Sequence, residues 1–280
     1  MTAQMNPVLG RSLLFVPGNR PERFDKALLS GGDAVILDLE DAVPEAEKPG
    51  ALESVAVWLA ARPADEQRQC WVRVPDARNP SPDLLRLADC AGFTGFVLPK
   101  VESPDDLCGW SVPLIAQIES ATGVQAMPAI AQTDQALLAL AIGPEDLAAS
   151  LGTEPGFDAL HLSCSLAVIA ARAAARQVIA CPGSIGEFRD LDAWRQTLEA
   201  GRRLGSDGMM CIHPAQVSVA NEVFSPSLAA IEQAGRIVAA ARAGQALGQG
   251  AVKLDGRMID PPVVVRAENL LTAARRFGLV

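Results

Sequence analysis

The sequence predicts an α/β protein: a closed barrel of eight parallel strands with a C-terminal helical extension. Eight apolar runs of β type recur up to about residue 215: Ser12–Pro17, Ala34–Leu39, Cys70–Pro75, Gly95–Pro99, Pro113–Glu119, Leu137–Gly143, Val178–Cys181 and Gly208–His213. These runs are almost continuously hydrophobic rather than alternating, which is what a strand covered on both faces shows. Helical patterns separate them, so the order of elements is that of a (β/α)8, or TIM, barrel.

The elements then follow in order. Asn19 is expected to cap the helix after the first run, with Pro21 just inside it, where the missing proline donor is no loss. Gly31-Gly32 ends that helix through the left-handed conformation open to glycine. Ser103-Pro104-Asp105-Asp106 reads as another helix start. After residue 215 the pattern becomes a long helix, Ser227 to Leu247, with Gly244 and Gly248 marking its end. The segment 252–262 breaks the periodicity, and Val263 to Phe277 resumes as helix. The expected division is a barrel domain over residues 1–222 and a helical lid extension over residues 223–280, which covers a site or reaches a neighbouring subunit.

Composition narrows the function. With 280 residues, 49% hydrophobic and 20% charged, the chain can bury a large core and is not disordered. A formal charge of -9 repels nucleic acid and anionic membrane, so neither is an expected partner. The six cysteines are scattered without a C-x-x-C pair and read as free thiols of a reducing compartment. Residues 1–10 lack a basic segment followed by a long apolar stretch, and a cytoplasmic location is expected.

Barrel enzymes carry their chemistry at the C-terminal ends of the strands. Charged residues fall there in succession: Asp38-Leu39-Glu40-Asp41, Arg73, Lys100, Glu119 and Asp146. Glu119 and Asp146 each close an apolar run, and a charge placed there is costly unless it is paired or binds a cation. Magnesium takes one or two carboxylates and fills its octahedron with water and substrate oxygens, which suits this pair. Pairing with a basic loop residue or capping of the next helix would also account for either acid.

Arg73 offers a planar fork for a substrate carboxylate, or else a structural ion pair with Glu40 or Asp41. Glu40 is expected to orient waters or Arg73 rather than bind metal. Arg20, Arg23 and Lys26 beside a helix start form an anion site suited to phosphate, unless the helix is simply solvated. His213 closes the last strand as a polar lining residue or a satisfied, noncatalytic histidine, and His161 has no supporting motif.

Taken together, Arg11–Gly18, Asp38–Val43, Ile118-Glu119-Ser120, Glu145–Ala148, Ile212-His213-Pro214 and Asp255–Asp260 resemble the citrate lyase β-subunit-like proteins of the HpcH/HpaI aldolase and citrate lyase family. The resemblance spans nearly the whole chain. It implies a (β/α)8 barrel, Mg2+ on Glu119 and Asp146, Arg73 on the substrate carboxylate, and Arg20 and Lys26 on CoA phosphates. It also implies a carbon–carbon lyase that cleaves or forms a 3-hydroxyacyl-CoA thioester, such as citryl-, malyl- or citramalyl-CoA, with a 2-keto acid as the other partner. Asp260 would carry the proton from a lid on the adjacent subunit of a homotrimer or hexamer, with Arg73 and Glu40 completing the catalytic set.

Pro75, Met209 and His161-Leu162-Ser163 replace an asparagine, a lysine and a Tyr-Ala-Arg common in that family, and 181–186 is also unusual. These departures surround the mouth and bear on the acyl substrate. Two alternatives stand beside the lyase: a metal-dependent aldolase for free hydroxy-keto acids without CoA, and a noncatalytic ligand-binding relative.

Overall fold

The computed structural model describes residues 9–63, 68–133 and 136–280. Its first eight strands are β1 (Ser12–Pro17), β2 (Ala34–Asp38), β3 (Gln69–Arg73), β4 (Gly95–Leu98), β5 (Leu114–Ile118), β6 (Leu137–Ile142), β7 (Gln177–Ile179) and β8 (Met209–Cys211). All are parallel to their neighbours, in the order β7-β6-β5-β4-β3-β2-β1-β8. The helices between them are α1 (Phe24–Leu28), α2 (Lys48–Ala60), α3 (Pro82–Leu85), α4 (Ala121–Ala131), α5 (Pro144–Ser150), α6 (Phe157–Ala173) and α7 (Leu191–Leu204), and α8 (Pro214–Phe224) follows β8.

Each strand serves two cores. One side packs Val35, Leu37, Val72, Phe96 and Leu98 against helix residues such as Val55, Leu59, Met127 and Leu160. The other fills the barrel with Leu13, Ile36, Trp71, Val97, Ile115, Ala139, Ile179 and Met210. Strand side chains alternate with a period of two, so an interior residue fixes the direction of the residue two further on. Ile36 therefore sets Asp38 inward, Trp71 sets Arg73, and Ile115 sets Gln117 and then Glu119.

The seam between β7 and β8 is bridged by side chains. The Asp207 carboxylate accepts from Val178 N at 2.8 Å, and Asp207 N donates to Val178 O at 2.8 Å. The buried Ser206 hydroxyl accepts from Ala180 N at 2.9 Å and donates to Gly208 O at 2.9 Å. These bonds occupy backbone groups that a ladder would otherwise pair, and buried groups of this kind are costly to leave unmet.

The expected cap at Asn19 is not formed. Its amide donates instead to Glu47 at 2.6 Å, and the chain enters α1 through a 3-10 turn, Pro21–Arg23, that has no side-chain cap. Nor does Gly31 stop the helix: α1 ends at Leu28 with a right-handed C-cap at Leu29, and Gly31, with φ of 84°, lies in the turn that leads to β2. At the second expected start, Asp106 accepts from the backbone N–H groups of Glu102 and Ser103, and the turn Pro104–Leu107 is 3-10 rather than α.

The chain divides into two compact units, one ending at Phe224 and one running Ser225–Val280. In the second unit α9 (Leu228–Ala246) packs on α10 (Pro261–Arg276) through Ala234, Val238 and Ala267. The aperiodic segment between them is a hairpin, β9 (Val252–Leu254) with β10 (Arg257–Ile259), antiparallel. Its turn places Asp255 and Gly256 at φ of 49° and 78°, the positive pair that a two-residue hairpin turn requires. Among the described residues no helix is long and apolar enough to cross a membrane.

Candidate active site

Register brings the first charges together. Asp38 and Arg73, the last residues of β2 and β3, are paired positions facing the interior. Arg73 donates from Nε to Asp38 Oδ1 at 2.7 Å and from Nη2 to Oδ2 at 2.6 Å, a bidentate pair with Asp38 only 1% exposed. Its Nη1 lies 2.9 Å from Glu40 Oε2, and the guanidinium stacks over Phe15 at 4.7 Å. Asp38 also accepts from the N–H groups of Glu40 and Ala42, so its lone pairs are well used. The expected ion pair with Glu40 or Asp41 is present, at 2.9 Å and 4.0 Å, and Asp38 adds a bidentate one. The fork expected to grip a substrate carboxylate is held by Asp38 through Nε and Nη2, and Nη1 faces Glu40. Burial acts to lower the Arg73 pKa, but its bonds to Asp38 and the charges of Asp38, Glu40 and Glu119 raise it overall.

Lys100 links the next strands. It sits beyond β4 with φ of 52°, and its N–H donates to Glu119 Oε2 at 2.9 Å. Its ammonium reaches Glu40 Oε1 at 2.6 Å, and the bond to Glu40 holds its pKa above the ordinary lysine value. Glu40 is therefore clasped between Arg73 and Lys100. Burial pushes its carboxyl up, against the pull of those two cations.

Glu119 follows β5 and is 5% exposed. Gln117 Nε2 donates to its Oε1 at 2.8 Å. Burial, together with repulsion from Glu40 and Asp146, pushes its pKa up to about 7 despite Arg73 and the Lys100 N–H. The carboxylate fits because residue 143 is glycine: a Cβ there would stand 2.5 Å from Glu119 Cγ and 2.8 Å from Cδ.

Asp146 does not end a strand. The strand β6 stops at Ile142, and Asp146 lies in the first turn of α5, half-buried. A helix N-terminus favours a carboxylate, and this one faces the same cavity as Glu119. The cavity encloses about 390 Å³ and is lined by Phe15, Asp38, Asp41, Arg73, Gln117, Glu119, Glu145, Asp146 and an apolar group from Ile142, Ile185, Met209, Met210 and Ile212.

The donor set fits a hard cation. It is all oxygen, Gln117 Oε1 is buried with no hydrogen-bond partner, and no hydrogen bond claims the Asp146 carboxylate among the described residues. No group of three or more His, Cys, Asp or Glu able to hold a metal occurs among those residues. A cation held by Glu119 and Asp146 would therefore keep sites for water and substrate oxygens, as Mg2+ does.

Arg20 and Lys26 are exposed, near and on the short α1, and make no ion pair among the described residues. Asp260 belongs to the second unit, where its side chain caps α10 by accepting from Val263 N at 3.3 Å. His213 stacks on Phe188 at 4.8 Å and accepts from Ala215 N, and His161 stacks on Phe157 at 5.0 Å; neither lines the cavity. The sequence reading passed over Gln117 and Gly143. Gln117 was findable, since it stands two residues before Glu119 and shares its face.

A parallel barrel whose C-terminal mouth joins an oxygen-only acid pair to a buried arginine defines a class: an enzyme that handles a small oxygen-rich substrate with a hard divalent cation. The HpcH/HpaI aldolase/citrate lyase family model matches residues 11–110 and 108–214, and the chain belongs to that family. It is 35% identical over 290 residues to a (3S)-malyl-CoA thioesterase of Cereibacter sphaeroides, spanning 99% of this chain and 98% of the relative. It is 30% identical over 303 residues to an L-malyl-CoA/β-methylmalyl-CoA lyase of the same species, spanning 96% and 95%. Among solved structures it matches CitE from Mycobacterium tuberculosis in complex with magnesium, acetoacetate and coenzyme A, with a TM-score of 0.75, 31% identity and coverage of 96% and 99%.

Proposed function

We propose that this chain is a Mg2+-dependent carbon–carbon lyase that cleaves or forms a 3-hydroxyacyl-CoA thioester of the citryl-, malyl- or citramalyl-CoA kind, with an acyl-CoA and a 2-keto acid as products. The observation that carries it is Glu119 and Asp146 on one cavity with Arg73. The malyl-CoA lyase relative and the CitE complex with magnesium and CoA support the substrate and the metal.

In cleavage a base removes the 3-hydroxyl proton, the carbon–carbon bond breaks, and its electrons pass to the thioester enolate, which is then protonated. Glu119 and Asp146 would hold Mg2+, which when bound would supply Lewis-acid polarisation of the substrate oxygens. Arg73, kept in place by Asp38 and Glu40, orients the keto-acid carboxylate. Glu40, with both oxygens facing cations, positions Arg73 rather than moving protons. Asp260 is the proposed proton carrier, delivered by a neighbouring subunit of a trimer or hexamer in the cytoplasm. Arg20 and Lys26, exposed and without an ion pair among the described residues, are the proposed contacts for the CoA phosphates.

The test incubates the protein with Mg2+ and malyl-, citramalyl- or citryl-CoA and identifies the CoA species and acids formed. An acyl-CoA with a 2-keto acid supports the lyase. The thioesterase relative favours a second reading, hydrolysis, whose products are free CoA and the hydroxy acid. Turnover of free hydroxy-keto acids, with none on thioesters, would sink both. Sedimentation as a monomer alone would remove the proposed exchange of Asp260.

A further inference from the structure

The lining of the active-site cavity divides by chemistry. Among its described residues Arg73 is the single cation, against Asp38, Asp41, Glu119, Glu145 and Asp146. That cation is already shared by Asp38 and Glu40, and the nearby Lys100 ammonium is taken by Glu40 at 2.6 Å and Asp41 at 3.4 Å. Apart from the polar Gln117, the remaining side chains of the lining are apolar, with Ile142, Ile185, Met209, Met210 and Ile212 beside Phe15.

This apolar wall is held by hydrogen bonds on two sides. Gln216, fully buried, accepts from the N–H groups of Ile212 at 2.9 Å and His213 at 3.1 Å, while its amide donates to Ile185 O at 2.9 Å. From the other side, Glu145 Oε1 accepts from Ile185 N at 2.9 Å and from Ser184 Oγ at 2.6 Å. The loop after β7 and the end of β8 are thus tied together, and both carry isoleucine into the cavity. The methionines beside them adapt to different alkyl shapes.

One carboxylate of a keto acid would be met by the guanidinium of Arg73, which lines the cavity, and by the cation that Glu119 and Asp146 would hold. Among the described residues of the lining no positive side chain is left to meet a second carboxylate, and an unpaired charge against apolar side chains and acids is strongly disfavoured. An alkyl substituent at the same place is favoured by burial. We infer that the keto-acid half of the substrate carries a single carboxylate and an apolar substituent, the class of pyruvate and 2-oxobutyrate, and not the second carboxylate of oxaloacetate. The inference rests on the proposed lyase function and selects within it.

The test has a binding arm and a turnover arm, both on the full chain with Mg2+. Calorimetry measures pyruvate, 2-oxobutyrate and oxaloacetate, and each is then offered with acetyl-CoA for condensation. The two monocarboxylates are expected to bind and react at least about 100-fold better than oxaloacetate, the scale of one buried charge left unmet. Oxaloacetate equal to or better than pyruvate overturns the inference while leaving the lyase reading intact. The expected binding order without condensation overturns the lyase reading and supports the selectivity. Binding of none of the three overturns both. Ile212→Arg, at a position 41% exposed and so able to accept a charge without loss of the fold, places a cation on the wall. It is expected to shift the ratio toward oxaloacetate by at least about 10-fold. An unchanged ratio overturns the assignment of selectivity to this wall.

Discussion

Lowering the pH from 8 to 6 is expected to weaken Mg2+ binding about ten-fold, because the metal must compete with a proton for Glu119. Burial beside Glu40 and Asp146 pushes that carboxyl up to about 7. A group with this pKa is about 91% ionised at pH 8 and about 9% at pH 6, and the ratio of the two is the expected change in apparent Kd. Calorimetry of Mg2+ in buffers of different ionisation enthalpy checks both the affinity and the proton released on binding. The same shift carries a stability prediction. The native state holds this proton more tightly than the unfolded chain, so the metal-free protein is expected to lose stability as pH rises from about 4.5 to about 7. The loss amounts to about 3 kcal/mol over that window. Mg2+ should return stability at the upper end, by binding only the native state. A Kd that is flat between pH 6 and 8, with no proton release, would refute the reasoning that burial sets the charge of Glu119.

The other predictions address single contacts. Gly143→Ala pushes a methyl into the Glu119 carboxylate and should weaken Mg2+ binding roughly 10- to 100-fold, at a stability cost of about 1–3 kcal/mol, read by calorimetry and urea denaturation. Arg73→Ala strands the buried Asp38 charge and should cost about 3–5 kcal/mol in urea denaturation. Adding Asp38→Asn should recover part of that loss, and a fully additive double variant would deny the pair. Asp260→Asn should keep the α10 cap and its melting temperature yet lose turnover, whereas Asp260→Ala should lose turnover together with about 1 kcal/mol of stability. Full turnover in Asp260→Asn would remove Asp260 from proton transfer.

The barrel was legible because a parallel strand covered on both faces needs an apolar run, and those runs sit where β1 to β8 form. The same property hid the detail. Continuous apolar sequence does not say which residues face the barrel and which face the helices, so the inward row of Trp71 and Arg73, or of Ile115, Gln117 and Glu119, emerges only when the strands close. Asp146 was readable as an acid after an apolar run. Its place on α5 depends on β6 ending at Ile142, a boundary set by pairing with β5. The hairpin in the second unit was missed because three-residue strands leave too short a pattern to read.

By itself the sequence determined the alternation of strands and helices, the acids and arginine at the strand ends, and the family resemblance, since these rest on residue type and spacing. Only the tertiary structure decided which charges meet. Register placed Arg73 against Asp38, and the left-handed turn at Lys100 aimed a backbone N–H at Glu119. The absent side chain of Gly143 made room for that carboxylate. Such contacts join residues far apart in the chain, across strands whose alignment no local pattern records. They give the mouth its arginine, the one cationic side chain among the described residues of the lining, and its apolar wall.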